Sequence, residues 1–549
     1  MKGQLVSSKV LIQVMMLLCS VTSCLRVEAE NAQKGRWELL LENAGVCAMH
    51  MALTQANKVL IFDQTLAGPS KIRRTDPPCN NNRSKSAKED CWAHSVEYDI
   101  ATNKVRPLHL VTDTWCSSGS FVSNGTLVQT GGWNTGNQIT RYFTPCSNMS
   151  CDWIESRTRL SSPRWYASDQ ILPDNRVIVV GGRRSTSYEF VPKRRPEEGV
   201  FQLPFLVQTT DAKENNLYPF LHLSSDGNLF IFANRDSILL DYTHNRVVRT
   251  FPRMPGGGAR NYPSSASSVM LPLDYSDKFQ RVEVMICGGA AEGAYEMAHQ
   301  DQTFLLALNS CGRMEITSQN PFWRMEEMPG PRIMGDMIIL PNGEILIING
   351  AQNGTAGFEH ARGPVTNGWL YRPEAPEGKR FTVLAASTIP RMYHSTAIVL
   401  PDGRILVAGS NSNYGYHFHG VPFPTELRVE AYIPYYLHPH YDRRRPKITF
   451  LSAREIQYGG RFIVRFSLIL RPSPNVLFHA YAPPFTTHTV AMNQRMLSLA
   501  ATKIVKGAKG YVVGLTAPPS PVAAPSGYYL LTVVNAGIPS EAEWIRFIN

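Results

Sequence analysis

NRVIVVGG, at Asn175–Gly182, is the stretch that decides the fold: a short β-branched run entered from a polar turn and left through two glycines. The pattern recurs six more times, as KVLIF after Asn57, GTLVQTGG after Asn124, GNLFIFAN after Asp226, VEVMICGG after Arg281, GEILIING after Asn342 and GRILVAGS after Asp402. The first small or polar residue after each strand is Asp63, Gly131, Gly181, Ala233, Gly288, Asn349 and Gly409, so successive copies lie 50 to 68 residues apart. Strand repeats at about a 50-residue period build propeller blades, which bury their faces only against neighbouring blades.

Seven copies predict an all-β chain, with a seven-bladed kelch-like β-propeller over residues 36–430. A hinge follows, from Ile433-Pro434 to Pro446, and there the repeat stops. Segments Arg461–Leu470, Val476–Tyr481, Gly510–Leu515 and Tyr528–Val534 then read as strands of an immunoglobulin-like β-sandwich over residues 440–549. No long amphipathic helix interrupts the pattern.

The composition, 43% hydrophobic with 18% charged residues, is that of a globular protein. Residues 1–29 read as a signal peptide: Lys2 and Lys9, an apolar run Val10–Leu18, then Val27-Glu28-Ala29 as a cleavage site. No later stretch approaches the ~20 apolar residues of a membrane span. Sequons at Asn82, Asn124, Asn148 and Asn353 agree with a secreted glycoprotein. A net charge of +11 then suggests retention by an acidic cell-wall polysaccharide rather than binding to nucleic acid. The basic runs Lys193-Arg194-Arg195 and Arg443-Arg444-Arg445 read as solvated loops, and the protein as a monomer.

Cysteine usage fits an oxidising compartment. Without Cys19 and Cys24 of the signal, Cys79/Cys91, Cys146/Cys151 and Cys287/Cys311 are close enough in sequence to bridge locally. Cys47 and Cys116 remain: they pair with each other, or at least one is chemically special.

A second phased element precedes four of the strands: PRWYASDQILPD from Pro163, PSSASSVMLPLD from Pro263, PRIMGDMIILPN from Pro331 and PRMYHSTAIVLPD from Pro390. Its strand would be the innermost of a blade. Counting three residues from the proline gives Tyr166, Ala266, Met334 and Tyr393, and His394 follows Tyr393 directly. A lone tyrosine there would merely fill the channel, but phenol and imidazole together suit a tetragonal Cu(II) site. CxxC pairs, HExxH, phosphate-binding glycine loops and GxSxG elbows are all missing. A second imidazole is needed, and His488, in APPFTTHTVAMNQR after Tyr481, is the strongest candidate. His417/His419 and His438/His440 compete more weakly.

Trp115-Cys116-Ser117, PRWYASD from Pro163, PRMYHS from Pro390 and FTTHTVAMNQR from Phe485 together resemble the copper radical oxidases, specifically the glyoxal oxidase-like aldehyde oxidases and more distantly galactose oxidase. The resemblance spans nearly the whole mature chain. It implies one copper ion held by Tyr166, Tyr393, His394 and His488, with Tyr393 axial. It also implies a thioether between Cys116 and the ring of Tyr166 as the radical cofactor, and oxidation of a small aldehyde by O2 with release of H2O2. The chain departs from galactose oxidase after Gly181-Gly182, where Arg184 stands in place of the tryptophan that shields the radical. Two other readings compete: oxidation of primary alcohols in galactose-bearing polysaccharide side chains, and a non-catalytic kelch-like binding module, which would lack copper.

Overall fold

Each repeat folds as a four-stranded antiparallel sheet, and seven such sheets form the propeller in a computed structural model that describes residues 33–74, 79–81, 89–148 and 150–549. The signal segment and Asn82 lie outside the described residues. The second strand of a blade is the quoted apolar run. Val177–Gly181, Ile405–Gly409 and Leu229–Ala233 are buried at every position, because a blade is covered on both faces by its neighbours. The ring closes through the chain's two ends: Arg36–Leu41 pairs antiparallel with Val429–Ile433 as the outer strand of the last blade.

Beyond the propeller, Lys447–Leu451, Arg461–Ser467, Ala500–Ala501, Val505–Gly507 and Gly510–Thr516 make one sheet of the sandwich. Arg495–Ser498, Val476–Ala482, Gly527–Asn535, Glu543–Ile548 and Glu455–Gln457 belong to the other. One hairpin leaves the sandwich. Phe485–Thr487 and Val490–Met492 add to the inner edge of the first blade, where Thr487 pairs with His50 and Phe485 with Ala52. The hairpin turn is His488-Thr489, both with left-handed backbone (φ 46° and 70°). Ser267 donates to the Thr489 carbonyl at 2.7 Å and Thr489 to the Ala266 carbonyl at 2.8 Å, fixing the tip to the fifth blade.

In four blades a buried arginine in the loop before the inner strand donates to the carbonyl at the end of the second strand, and in the second blade Arg141 does so from the third strand, donating also to the Asp113 carbonyl of that loop at 3.2 Å. Arg164 donates to the Gly181 carbonyl at 2.8 Å, Arg391 to that of Gly409 at 2.8 Å and Arg141 to that of Gly131 at 2.8 Å. Arg260 and Arg332 do the same for Gly288 and Asn349. Two of these guanidiniums also meet buried carboxylates, Arg164 with Glu189 and Arg391 with Glu430, each at 2.9 Å.

Cys79–Cys91, Cys146–Cys151 and Cys287–Cys311 are bonded as the spacing suggested, and Cys47 and Cys116 are buried free thiols. Asn124 and Asn148 are exposed, whereas Asn353 is half-buried in a short ladder with Arg362.

Removing one partner of a buried ion pair strands the other charge, at about 3–5 kcal/mol. Arg391→Leu therefore lowers the urea midpoint markedly, by a shift that a surface control such as Arg195→Leu does not produce. An unchanged midpoint would mean that the clamp contributes nothing.

Candidate functional site

Strand register corrects the phase counted from proline. Ala167 pairs with Gly181 and Ser395 with Gly409, so the blade position of Tyr166 is held in the last blade by His394, not by Tyr393. The same register places Cys116, Tyr218, Ser265 and Met334 at that position in their own blades. All six are left-handed, with φ between 45° and 64°. That conformation costs a non-glycine residue roughly 1–2 kcal/mol. Backbone bonds around the ring hold it: Tyr166 N–H to Cys116 O at 3.0 Å, Tyr218 N–H to Tyr166 O at 2.9 Å and Met334 N–H to Ser265 O at 2.8 Å. In six of the seven blades one strained turn thus stands just before the inner strand.

Cys116, Tyr166, Tyr393, His394 and His488 converge there, none more than 5% exposed. Cys116 Sγ lies 3.2 Å from His488 Nε2, and Thr487 Oγ1 lies 2.7 Å from the other ring nitrogen. Sγ and one nitrogen each of His394 and His488 fall within 4.8 Å of one another. The His394 ring stacks on Tyr393 with centroids 3.8 Å apart and meets His488 edge-on at 4.9 Å. Both His394 nitrogens are buried without a partner. Burial, with the neighbouring imidazoles, holds His394 and His488 well below the ordinary histidine range, so both stay neutral and free to donate a lone pair. Tyr393, His394 and His488 also border a void of about 10 Å³, the room of one small occupant. Two neutral imidazoles, one of them orphaned, and the Tyr393 phenol at such a void, with the Tyr166 phenol and the Cys116 thiol in the same cluster, fit a copper ion. His417 and His419 lie on the surface, and His438 and His440 at the propeller–sandwich hinge, away from this cluster.

The sequence did not single out Tyr262. Its hydroxyl lies 3.1 Å from that of Tyr166 and 2.8 Å from that of Tyr393, making a line of three phenols. Its ring stacks on Tyr166, with centroids 4.4 Å apart and planes at 27°. Burial pushes Tyr166 and Tyr393 up, and the thiol and neighbouring phenols push further in the same direction. Without a cation, all of these groups keep their protons; a bound dication opposes that. The shield over Tyr166 is thus Tyr262 with Trp165 beside it at 4.6 Å, not Arg184. Arg184 lines a neighbouring hollow with Trp133 and Trp165, and it is Arg183 whose guanidinium lies over the Trp165 ring, at 5.3 Å.

The phenols open on a cavity of about 150 Å³ walled by Trp115, Trp165, Phe358 and Tyr414. At its border Arg183 pairs with Glu214 at 2.8 Å and Lys213 with Glu296 at 3.7 Å, so the cations there are already partnered.

The chain matches the family described as glyoxal oxidase N-terminus over residues 49–436, and that of the galactose oxidase-like early set domain over residues 445–547. It is 46% identical to aldehyde oxidase GLOX1 of Arabidopsis thaliana, over 94% of this chain and 85% of that one. It is 45% identical to aldehyde oxidase GLOX of Vitis pseudoreticulata, over 94% and 97%. A solved fungal alcohol oxidase of the AA5 family, in complex with copper, shares the fold with a TM-score of 0.71 at 17% identity, over 94% of this chain and all of the other. With matches running through both domains and relatives aligned almost end to end, the chain belongs to the glyoxal oxidase family.

Proposed function

We propose that this protein oxidises small aldehydes to carboxylic acids with O2 as acceptor, releasing H2O2, at the axial site. One observation carries the reading: two neutral imidazoles, one with both nitrogens orphaned, meet two phenols and a free thiol at the propeller axis in a chain related to aldehyde oxidases. Tyr166, Tyr393, His394 and His488 would hold copper, and Cys116 would be joined to the Tyr166 ring as a thioether. Bound copper and the radical on that cross-linked phenol would each accept one electron, which matches the two-electron oxidation and its return to O2.

The remaining work falls to side chains. A hydrated aldehyde enters the aromatic cavity and presents a hydroxyl to the Tyr393 oxygen, which takes its proton. The Tyr166 oxygen takes the hydrogen from carbon. Tyr262 spans the two acceptors and keeps their oxygens at a fixed separation, while its ring covers Tyr166. Overall, RCH(OH)2 and O2 give RCOOH and H2O2. Every proposed ligand comes from one chain, in keeping with a monomer. The disulfides support an oxidising, extracellular setting. No helix among the described residues is long and apolar enough to cross a membrane.

A peroxide-coupled screen of copper-loaded protein tests the reaction. Turnover of methylglyoxal or glyoxal is expected; activity on galactose alone would overturn the aldehyde reading. Tyr262→Phe keeps the ring stack and removes the bridging hydroxyl, a loss of about 0.5–1.5 kcal/mol, so kcat should fall about 2- to 10-fold at unchanged copper content. An unchanged kcat would remove the hydroxyl from the mechanism.

A further inference from the structure

The chain's positive charge is concentrated in the sandwich. Residues 440–549 hold 13 Lys and Arg against four Asp and Glu, a net +9 of the chain's +11, and no acid occurs between Glu455 and Glu541. Three of the four acids are already spent on arginines: Asp442 on Arg445, Glu455 on Arg546 and Glu543 on Arg454. Among the described residues, no ion pair engages Lys447, Arg461, Arg465, Lys503, Lys506 or Lys509.

Strand alternation gathers several of these on one surface. In Arg461–Ser467, Phe462, Val464 and Phe466 point into the sandwich, so Arg461, Ile463 and Arg465 point out. The two arginines stand about 13 Å apart along the strand. On the next strand Phe450 lies opposite Arg465, whose guanidinium sits 4.8 Å from its ring, and exposed Lys447 is at the same edge. Lys503, Lys506 and Lys509 are exposed around the opposite edge. Phe450 and Ile463 are each 44% exposed and Val505 58%. A flat sheet face with unpaired cations, no acid and scattered apolar groups is neither a folding requirement nor an ordinary solvated surface.

We propose that this outer face of the sandwich docks an acidic polysaccharide, a polyuronate chain whose carboxylates meet the guanidiniums and ammoniums while the C–H faces of its sugars lie on Ile463 and the exposed part of Phe450 that Arg465 leaves open. Spaced cations interleaved with apolar groups suit a polymer that alternates charge with ring faces. A bilayer would want the apolar groups to stand beyond the cations, and Phe450 instead lies beneath Arg465. No sandwich residue lines the aromatic cavity, so a docked enzyme keeps its substrate mouth open. The inference concerns where the enzyme is held, and it stands or falls separately from the reaction.

The test is binding of the copper-loaded full chain to polygalacturonate, with neutral galactan and phosphatidylserine vesicles as parallel ligands. Polygalacturonate alone should be bound, with affinity that falls as salt rises. The variant Lys447→Glu/Arg461→Glu/Arg465→Glu should lose about ten-fold or more in affinity while its peroxide production and unfolding midpoint match the parent. If that variant misfolds, Lys503→Glu/Lys506→Glu/Lys509→Glu, confined to exposed edge positions, should show the same loss. Equal binding by a folded variant and the parent, equal binding of galactan, or capture by vesicles in place of polygalacturonate would each overturn the proposal.

Discussion

A buried guanidinium held against a backbone carbonyl is the interaction on which the rest of this molecule depends. In four blades it joins the loop entering the inner strand to the end of the second strand, and in the second blade Arg141 makes the same link from the third strand. In these blades a left-handed residue just before the inner strand delivers its side chain to the axis, and the fourth blade keeps the same turn at Tyr218 without an arginine. A charge buried this deeply tolerates no slack, since every lost hydrogen bond leaves a desolvated group behind. The clamp therefore makes the site rigid before any ligand arrives, and the catalytic geometry is an outcome of blade architecture.

Much of this was legible in the sequence. The repeat revealed the seven blades, and spacing identified the three disulfides. The phase, however, is set by the end of the second strand and not by the proline. Counted forward from proline, Tyr166 matches Tyr393; counted fifteen residues back from the small residue that ends each second strand, it matches Cys116, Tyr218, Met334 and His394. The backward count works because the inner hairpin has a constant length, whereas the loop after proline does not. It fails in the fifth blade, where the 3₁₀ turn Tyr275–Asp277 and its flanking residues lengthen the hairpin. Tyr262 enters the site from that blade, which is why no periodic argument reached it. Arg184 holds the homologous position, but the aromatic that covers Tyr166 comes from another blade.

The sandwich contributes more than a cap. Its hairpin becomes part of the first blade and is pinned to the fifth, so His488 is as well fixed as the residues that the propeller supplies. The domain carries nearly all of the chain's excess charge, and Lys447, Arg461, Arg465 and Lys506 of it stand on the sheet that does not bear the hairpin. One domain thus supplies His488 to the candidate site and carries the proposed polyanion-docking face, with no residue in common.

The central claim is that Cys116 is the covalent partner of Tyr166 rather than a fifth ligand or a spare thiol. Peptide mapping of copper-loaded protein after digestion and alkylation tests it most directly. The account predicts that the peptides containing Cys116 and Tyr166 travel as one species, two hydrogens lighter than their sum, with Cys116 protected from alkylation. Two separate peptides with Cys116 alkylated, in protein that turns over aldehyde, would contradict it.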